Sequence, residues 1–187
     1  TAMLAMRNRK AADPASTPEV LVLGMGATGA ACARYFSAHG IAVAFADTRD
    51  EPPGLAEIRS AMPAASLHTG PSAIELPASV RRVIVSPGVD LHLPVIALAR
   101  GQGLAVQSDL DLFAAEAKAP AIGITGSNGK STVTTLVGDL LRSTGRRVAV
   151  GANLGTPALD LLDDRIENYV LELSSFQLER SGTLPLR

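Results

Sequence analysis

An α/β fold built on mostly parallel sheets is predicted by three observations. Short apolar runs alternate with helical patterns along the chain, two of those runs lead straight into glycine-rich turns, and the helices that follow are closed by Gly or Pro. Residues 19–23 form the first run, a buried-strand pattern ending at Gly24. Residues 27–39 read as a helix stopped by Gly40. Residues 41–46 are a second buried strand, followed by Asp47-Thr48-Arg49. A third lies within 80–85 and ends at Ser86-Pro87-Gly88. Residues 94–100 form a short helix with Pro94 in its first turn. Ser108 to Asp111 has the form of a capping box, opening a helix to about Lys118 that Pro120 stops. A second series then begins. Residues 121–125 are a strand, and Val133, Leu136, Val137, Leu140 and Leu141 recur at helical spacing before Gly145. Residues 147–150 and 169–173 are further strands.

Composition removes several function classes. The chain has 187 residues, 47% apolar and 19% charged, which suits globular folding rather than disorder. No uncharged apolar stretch reaches the ~18 residues of a membrane span. A net charge of −1 leaves no global basic field for nucleic acid. Tryptophan is absent and aromatics total 3%, so base-stacking platforms are not expected. Cys32, the single cysteine, excludes an intrachain disulfide and a cysteine-based zinc site. Residues 1–18 carry Arg7, Arg9 and Lys10 without the apolar run of a secretory signal, and read as a disordered leader or a remnant of expression. Without an export signal, the cytoplasm is the expected compartment.

The first glycine turn is Gly24-Met25-Gly26-Ala27-Thr28-Gly29. Glycines in this pattern allow a tight turn and close backbone approach to a phosphate at a helix N-terminus. Asp47, at the end of the next strand, can accept a hydrogen bond from a ribose or sugar hydroxyl. The pattern alone favours NAD, with a nucleotide sugar as the other candidate.

The second turn is more specific. Gly126, Ser127, Asn128, Gly129, Lys130, Ser131 and Thr132 form a phosphate-binding loop between a strand and a helix. Backbone N–H groups surround phosphate oxygens, Lys130 carries positive charge to the β- and γ-phosphates, and the Ser131 hydroxyl can ligate Mg²⁺. The strict pattern needs glycine at position 124, where this chain has Ile124, so Gly126 must make the turn. ATP is the expected ligand. Further on, Glu172 lies near the carboxyl end of an apolar strand between Leu171 and Leu173. A carboxylate there is costly unless paired or bound to metal, and in a parallel sheet it reaches the Mg²⁺ of the loop. Lys130 and Glu172 are the candidate catalytic residues; Ser131 and Glu172 are the candidate metal ligands.

The segments GITGSNGKST (123–132) and LELSSFQLE (171–179) together resemble the Mur ligases of peptidoglycan synthesis. GMGATG (24–29), DTR (47–49), SPG (86–88) and GANLG (151–155) match in order the branch that adds glutamate to UDP-N-acetylmuramoyl-L-alanine. The resemblance runs from residue 19 to about 182. It implies a Rossmann-like parallel-sheet N-terminal domain (19–107) that binds the UDP part of the substrate rather than NAD. It implies that residues 108–187 are a linker helix and the first part of a P-loop α/β ATPase domain. Ala27 and Thr28 then sit at the pyrophosphate and the uracil-side turn, and Asp47, Thr48 and Arg49 near uracil and ribose. Ser86, Pro87 and Gly88 line the nucleotide, and Asn153 and Ser174 touch the substrate nearer its muramoyl end. The implied cofactors are ATP and Mg²⁺. The implied reaction is ATP-driven amide formation: a substrate carboxylate attacks the γ-phosphate to give an acyl phosphate, and the glutamate amine displaces phosphate.

Enzymes of this family are more than twice as long, and part of their ATP site and the glutamate site lie beyond the segment matched here. The expectation is therefore that these 187 residues alone do not catalyse ligation. His39, His68 and His92 read as structural or solvated. The competing readings are a non-catalytic UDP-sugar-binding module, an NAD-binding unit fused to a P-loop unit, or another amide ligase of the same family.

Overall fold

A computed structural model describes residues 17–72 and 74–181. The expected leader lies almost wholly outside the described residues. The chain divides into two compact units, 1–109 and 110–187.

The first unit is a five-stranded parallel sheet in the order β3-β2-β1-β4-β5. Its strands are β1 (Val20–Leu23), β2 (Val43–Asp47), β3 (Ser66–Thr69), β4 (Arg82–Val85) and β5 (Ala105–Gln107). Its helices are α1 (Ala27–Ala38), α2 (Leu55–Ala61) and α3 (Pro94–Gly101). Strands β1 and β2 are buried at every position, because both faces of a parallel sheet are covered. One face packs Leu21, Leu23, Ala44, Ala46, Val83 and Val85 against Val95, Ile96 and Ala99 of α3. Helix α1 adheres through small residues, burying Gly29, Ala30, Ala31, Cys32 and Ala33 together with Phe36. Strand β1 pairs with β2 on one side and β4 on the other, so the order reverses between β1 and β4. A crevice opens outside the carboxyl ends of the strands at such a reversal.

The second unit begins with α4 (Asp109–Glu116, its first residue closing the first unit) and has a three-stranded parallel sheet in the order β6-β8-β7. These are β6 (Ala121–Ile124), β7 (Val148–Ala152) and β8 (Asn168–Glu172), joined by α5 (Lys130–Ser143) and a 3-10 turn (Ala158–Leu161). Helix α6 (Ser175–Arg180) follows. Tyr169 of β8 meets Phe113 of α4 edge-on, with ring centroids 4.9 Å apart.

Most sequence-predicted elements appear within two residues of their expected ends. Helices α2 and α6, strands β3 and β5 and the 3-10 turn are additional. Each is short, and α2 buries only Ile58, so no periodic signal marks them. Helix α4 stops at Glu116 rather than Lys118. The apolar stripe of α5 divides. Thr134 and Gly138 are its buried residues, while Val133, Leu136 and Leu140 are 46%, 55% and 58% exposed. The face against the sheet is chosen for closeness rather than hydrophobicity: a Cβ on Gly138 would sit 2.5 Å from Val150 Cγ2.

Two glycines of the first turn should respond oppositely to alanine. A Cβ at Gly29 would overlap the carbonyl oxygen of Gly24, which is backbone and cannot yield. At Gly26 (φ −98°) a Cβ meets nothing within 4 Å. In urea unfolding, Gly29→Ala should lose ~1–3 kcal/mol, and Gly26→Ala should stay within ~0.5 kcal/mol of the parent chain.

Candidate functional site

The first unit gathers its candidates at the crevice between β1 and β4. Gly24 (φ +95°) turns the chain out of β1, a conformation that favours glycine. The turn is pinned from several sides. Gly24 N–H donates to the Ala46 carbonyl (2.8 Å), and the Ser86 hydroxyl donates to the Gly24 carbonyl (3.2 Å). Met25 is fully buried, its N–H donates to Asp47 Oδ2 (2.7 Å), and its carbonyl accepts from Gly54 N–H (2.8 Å). Helix α1 starts at Gly26 with no side-chain cap, which leaves main-chain N–H groups of its first turn for an anion. Ala27 is exposed and Thr28 half-buried beside them.

Asp47 is the hub of the first cluster. Its carboxylate accepts from Met25 N–H, from Arg49 N–H (3.0 Å), and from Arg49 Nε (2.9 Å) and Nη2 (2.6 Å). Burial acts to raise its pKa, but the Arg49 guanidinium and the two backbone N–H groups outweigh it and hold the carboxyl at about 2. Asp47 thus ties the glycine turn to Arg49, whose guanidinium remains half exposed at the carboxyl edge of the sheet. Thr48 is exposed, Ser86 is buried under the turn, and Pro87 and Gly88 continue from it toward solvent.

In the second unit, β8 is the central strand and Glu172 is its last residue, paired with Ile124 of β6 and Ala152 of β7. The start of α5, after β6, and the turn after β7 each supply one hydrogen bond to its carboxylate. Ser131 Oγ donates to Oε2 (2.7 Å) and Asn153 Nδ2 donates to Oε1 (2.6 Å). Glu172 is 3% exposed, yet its pKa is lowered. The Ser131 hydroxyl contributes most, then the Asn153 amide, and burial opposes both while the Lys130 charge assists. Residues Gly126 to Gly129 lie exposed above it. Gly129 (φ +74°) begins α5 without a side-chain cap, and Lys130 Nζ donates back to the Gly126 carbonyl (2.7 Å). The result is an open loop of main-chain N–H groups and one ammonium at a helix N-terminus, with a buried carboxylate behind it.

The oxygen donors of Ser131 and Glu172 suit Mg²⁺, which takes one or two protein oxygens and completes its shell with water and phosphate. Among the described residues no group of three His, Cys, Asp or Glu forms another cation site. Ser174 caps α6, accepting from Gln177 N–H (3.2 Å) while Gln177 Oε1 accepts from Ser174 N–H (3.0 Å). His39 is tied to its own helix through the Tyr35 carbonyl (2.7 Å), the His68 ring meets the Ser72 carbonyl, and the His92 N–H donates to Asp90 Oδ1 (2.9 Å). Sequence reasoning missed the link from Asn153 to Glu172 and the left-handed Ala152 before it. The turn residues 151–155 were a signal for a bend, but not for which strand end the amide would face.

These features define an α/β protein with two parallel sheets, each carrying a glycine turn between a strand and a helix. Residues 18–108 match the Mur ligase MurD-like N-terminal domain, and residues 124–185 match the Mur ligase middle domain. The chain belongs to the Mur ligase family. It is 49% identical over 169 residues to the UDP-N-acetylmuramoylalanine–D-glutamate ligase of Marinobacter nauticus, covering 90% of this chain and 38% of that protein. It is 52% identical over 164 residues to the protein of the same name from Pseudomonas aeruginosa, covering 88% and 37%. The chain therefore spans little more than a third of the length of these relatives. Its fold also resembles a murein peptide ligase from Psychrobacter arcticus (TM-score 0.54, 19% identity, 86% of this chain and 39% of that one). A UDP-N-acetylmuramate–alanine ligase from Thermotoga maritima is similar (TM-score 0.53, 21% identity, 84% and 37%). Among the described residues no helix is long and apolar enough to cross a membrane.

The Asp47 cluster should show in the pH dependence of stability. A carboxyl depressed from 3.8 to about 2 stabilises the fold above pH ~4, and this contribution is lost as the pH falls toward 2. Arg49→Leu should lower stability at pH 7 by about 1 kcal/mol, a figure reduced for the exposure of the guanidinium. It should also flatten the acid limb of stability between pH 4 and 2, read by urea unfolding at successive pH values.

Proposed function

We propose that the chain is the substrate- and phosphate-binding part of an ATP-dependent ligase that joins D-glutamate to UDP-N-acetylmuramoyl-L-alanine. The observation that carries this is the Ser131–Glu172 pair set directly behind the Lys130 loop, which is the donor arrangement of a Mg²⁺-nucleotide site. The names of the relatives supply the substrate class. In this reading the first-unit crevice takes the UDP moiety. Main-chain N–H groups at Ala27 and Thr28 meet the pyrophosphate. Asp47 fixes Arg49 beside the uracil and ribose, with Thr48, and Ser86, Pro87 and Gly88 wall the opposite side.

In the second unit the loop 126–132 wraps the ATP phosphates, and Lys130 with the start of α5 offsets the charge that grows on the transferring group. Ser131 and Glu172 would hold Mg²⁺, which supplies neutralisation and orientation of the β- and γ-phosphates. The substrate carboxylate attacks the γ-phosphorus, the bond to the bridging oxygen breaks, and ADP leaves with an acyl phosphate formed. The glutamate amine then attacks the acyl carbon and phosphate departs. These residues do no proton chemistry in the first step; they position and neutralise.

Calorimetry on the chain tests the reading directly. UDP-N-acetylmuramoyl-L-alanine and Mg²⁺-ATP should each bind, and NAD should not. Heat with NAD and none with the UDP substrate would reassign the first unit. Lys130→Ala should weaken Mg²⁺-ATP about tenfold to a hundredfold and leave the UDP-substrate heat intact; loss of both heats would mean misfolding instead.

A further inference from the structure

We propose that Asn153 is a positioning residue that sets the Glu172 carboxylate for a phosphate-bound Mg²⁺, and that the left-handed backbone of Ala152 aims it. The proposal rests on the Mg²⁺-nucleotide reading of the second unit. Ala152 ends β7 opposite Glu172 and has φ +75°, the one positive φ outside glycine among the described residues. A side chain is rarely found there, and such residues persist only where their surroundings hold them.

The surroundings here are specific. Ala152 N–H donates to the Thr156 carbonyl (2.8 Å), closing the turn. The same carbonyl lies so near Gly151 that a Cβ there would approach it to 2.5 Å. The turn therefore folds back on the strand end, and Asn153 is delivered to Glu172 twice. Its N–H donates to the Glu172 carbonyl (3.0 Å) and its amide donates to Oε1 (2.6 Å).

Oε2 meanwhile accepts from Ser131. Two donors, one from the first turn of α5 and one from the turn after β7, fix both the plane and the rotation of one buried carboxylate. Ser131 lies in the first turn of α5, and Asn153 sits on a turn held by backbone hydrogen bonds. Second partners of this kind orient a ligand without touching the metal.

The test measures Mg²⁺ affinity with a fluorescent non-hydrolysable ATP analogue, together with affinity for the analogue in EDTA. Asn153→Leu should weaken the apparent Mg²⁺ affinity by about 10-fold to 100-fold without changing the EDTA value. Ala152→Val keeps Asn153 but opposes φ +75°, and should reproduce that loss. Ala152→Gly reaches the same φ freely and should keep the parental Mg²⁺ affinity, which separates the backbone requirement from loss of the alanine methyl. Far-UV circular dichroism checks each fold, and Asn153→Ala replaces Asn153→Leu if the larger side chain disrupts the turn. If Glu172→Gln lowers Mg²⁺ affinity while the Asn153 and Ala152→Val variants do not, the positioning role is overturned and the site reading stands. If the unsubstituted chain shows no Mg²⁺-dependent component, both fall together.

Discussion

A carboxylate buried at the end of a central strand constrains the whole second unit. Removing Glu172 from water is costly unless hydrogen bonds replace the lost solvation. The order β6-β8-β7 supplies them, since it places the loop after each outer strand beside the end of β8. Ser131 arrives from one side and Asn153 from the other, and the pKa of Glu172 falls despite its burial. Strand order, the αL residue Gly129 that starts α5, and the turn after Ala152 all converge on this one carboxylate.

The first unit uses the same device with different partners. Asp47 also closes a parallel strand beside a glycine turn, but its donors are a backbone N–H of that turn and the residues that follow it. In both units a strand-end carboxylate lies beside a glycine turn and accepts hydrogen bonds from the segment around it. The difference lies in what remains open. Glu172 stands behind a loop with a hydroxyl and an ammonium at hand, whereas Asp47 is occupied by Arg49 and leaves the guanidinium edge to face outward.

The alternation of strands and helices was legible because parallel strands are buried on both faces and read as continuous apolar runs. The two glycine turns were legible because their spacing follows from phosphate geometry. Helix α2 and strands β3 and β5 were not, since elements of three to seven residues with at most one buried side chain carry no period. The stripe of α5 was visible, but its orientation was not. Residues Thr134 and Gly138 win the sheet face because they allow close approach, a property that hydrophobicity does not encode. At the sites, residue types pointed to Glu172 and Lys130, while the partnership of Asn153 with Glu172 needed the register of β7 against β8. Asp47 was found by position, yet its four hydrogen bonds recast it as a brace rather than a free acceptor.

The turn at 24–29 is built from main chain, and that bears on how it can change over generations. Its groups for an anion are amides common to every residue, and its shape depends on Gly24 and Gly29 meeting without side chains. Single substitutions cannot adjust such a cradle by degrees: they either leave the amides where they are or push the helix away. Change by single side chains is therefore channelled to the rim, at Thr48 and Pro87, where side chains can be exchanged singly. A compound that relied only on the main-chain cradle would leave few single-residue routes to resistance there, whereas one that relied on the rim would leave many.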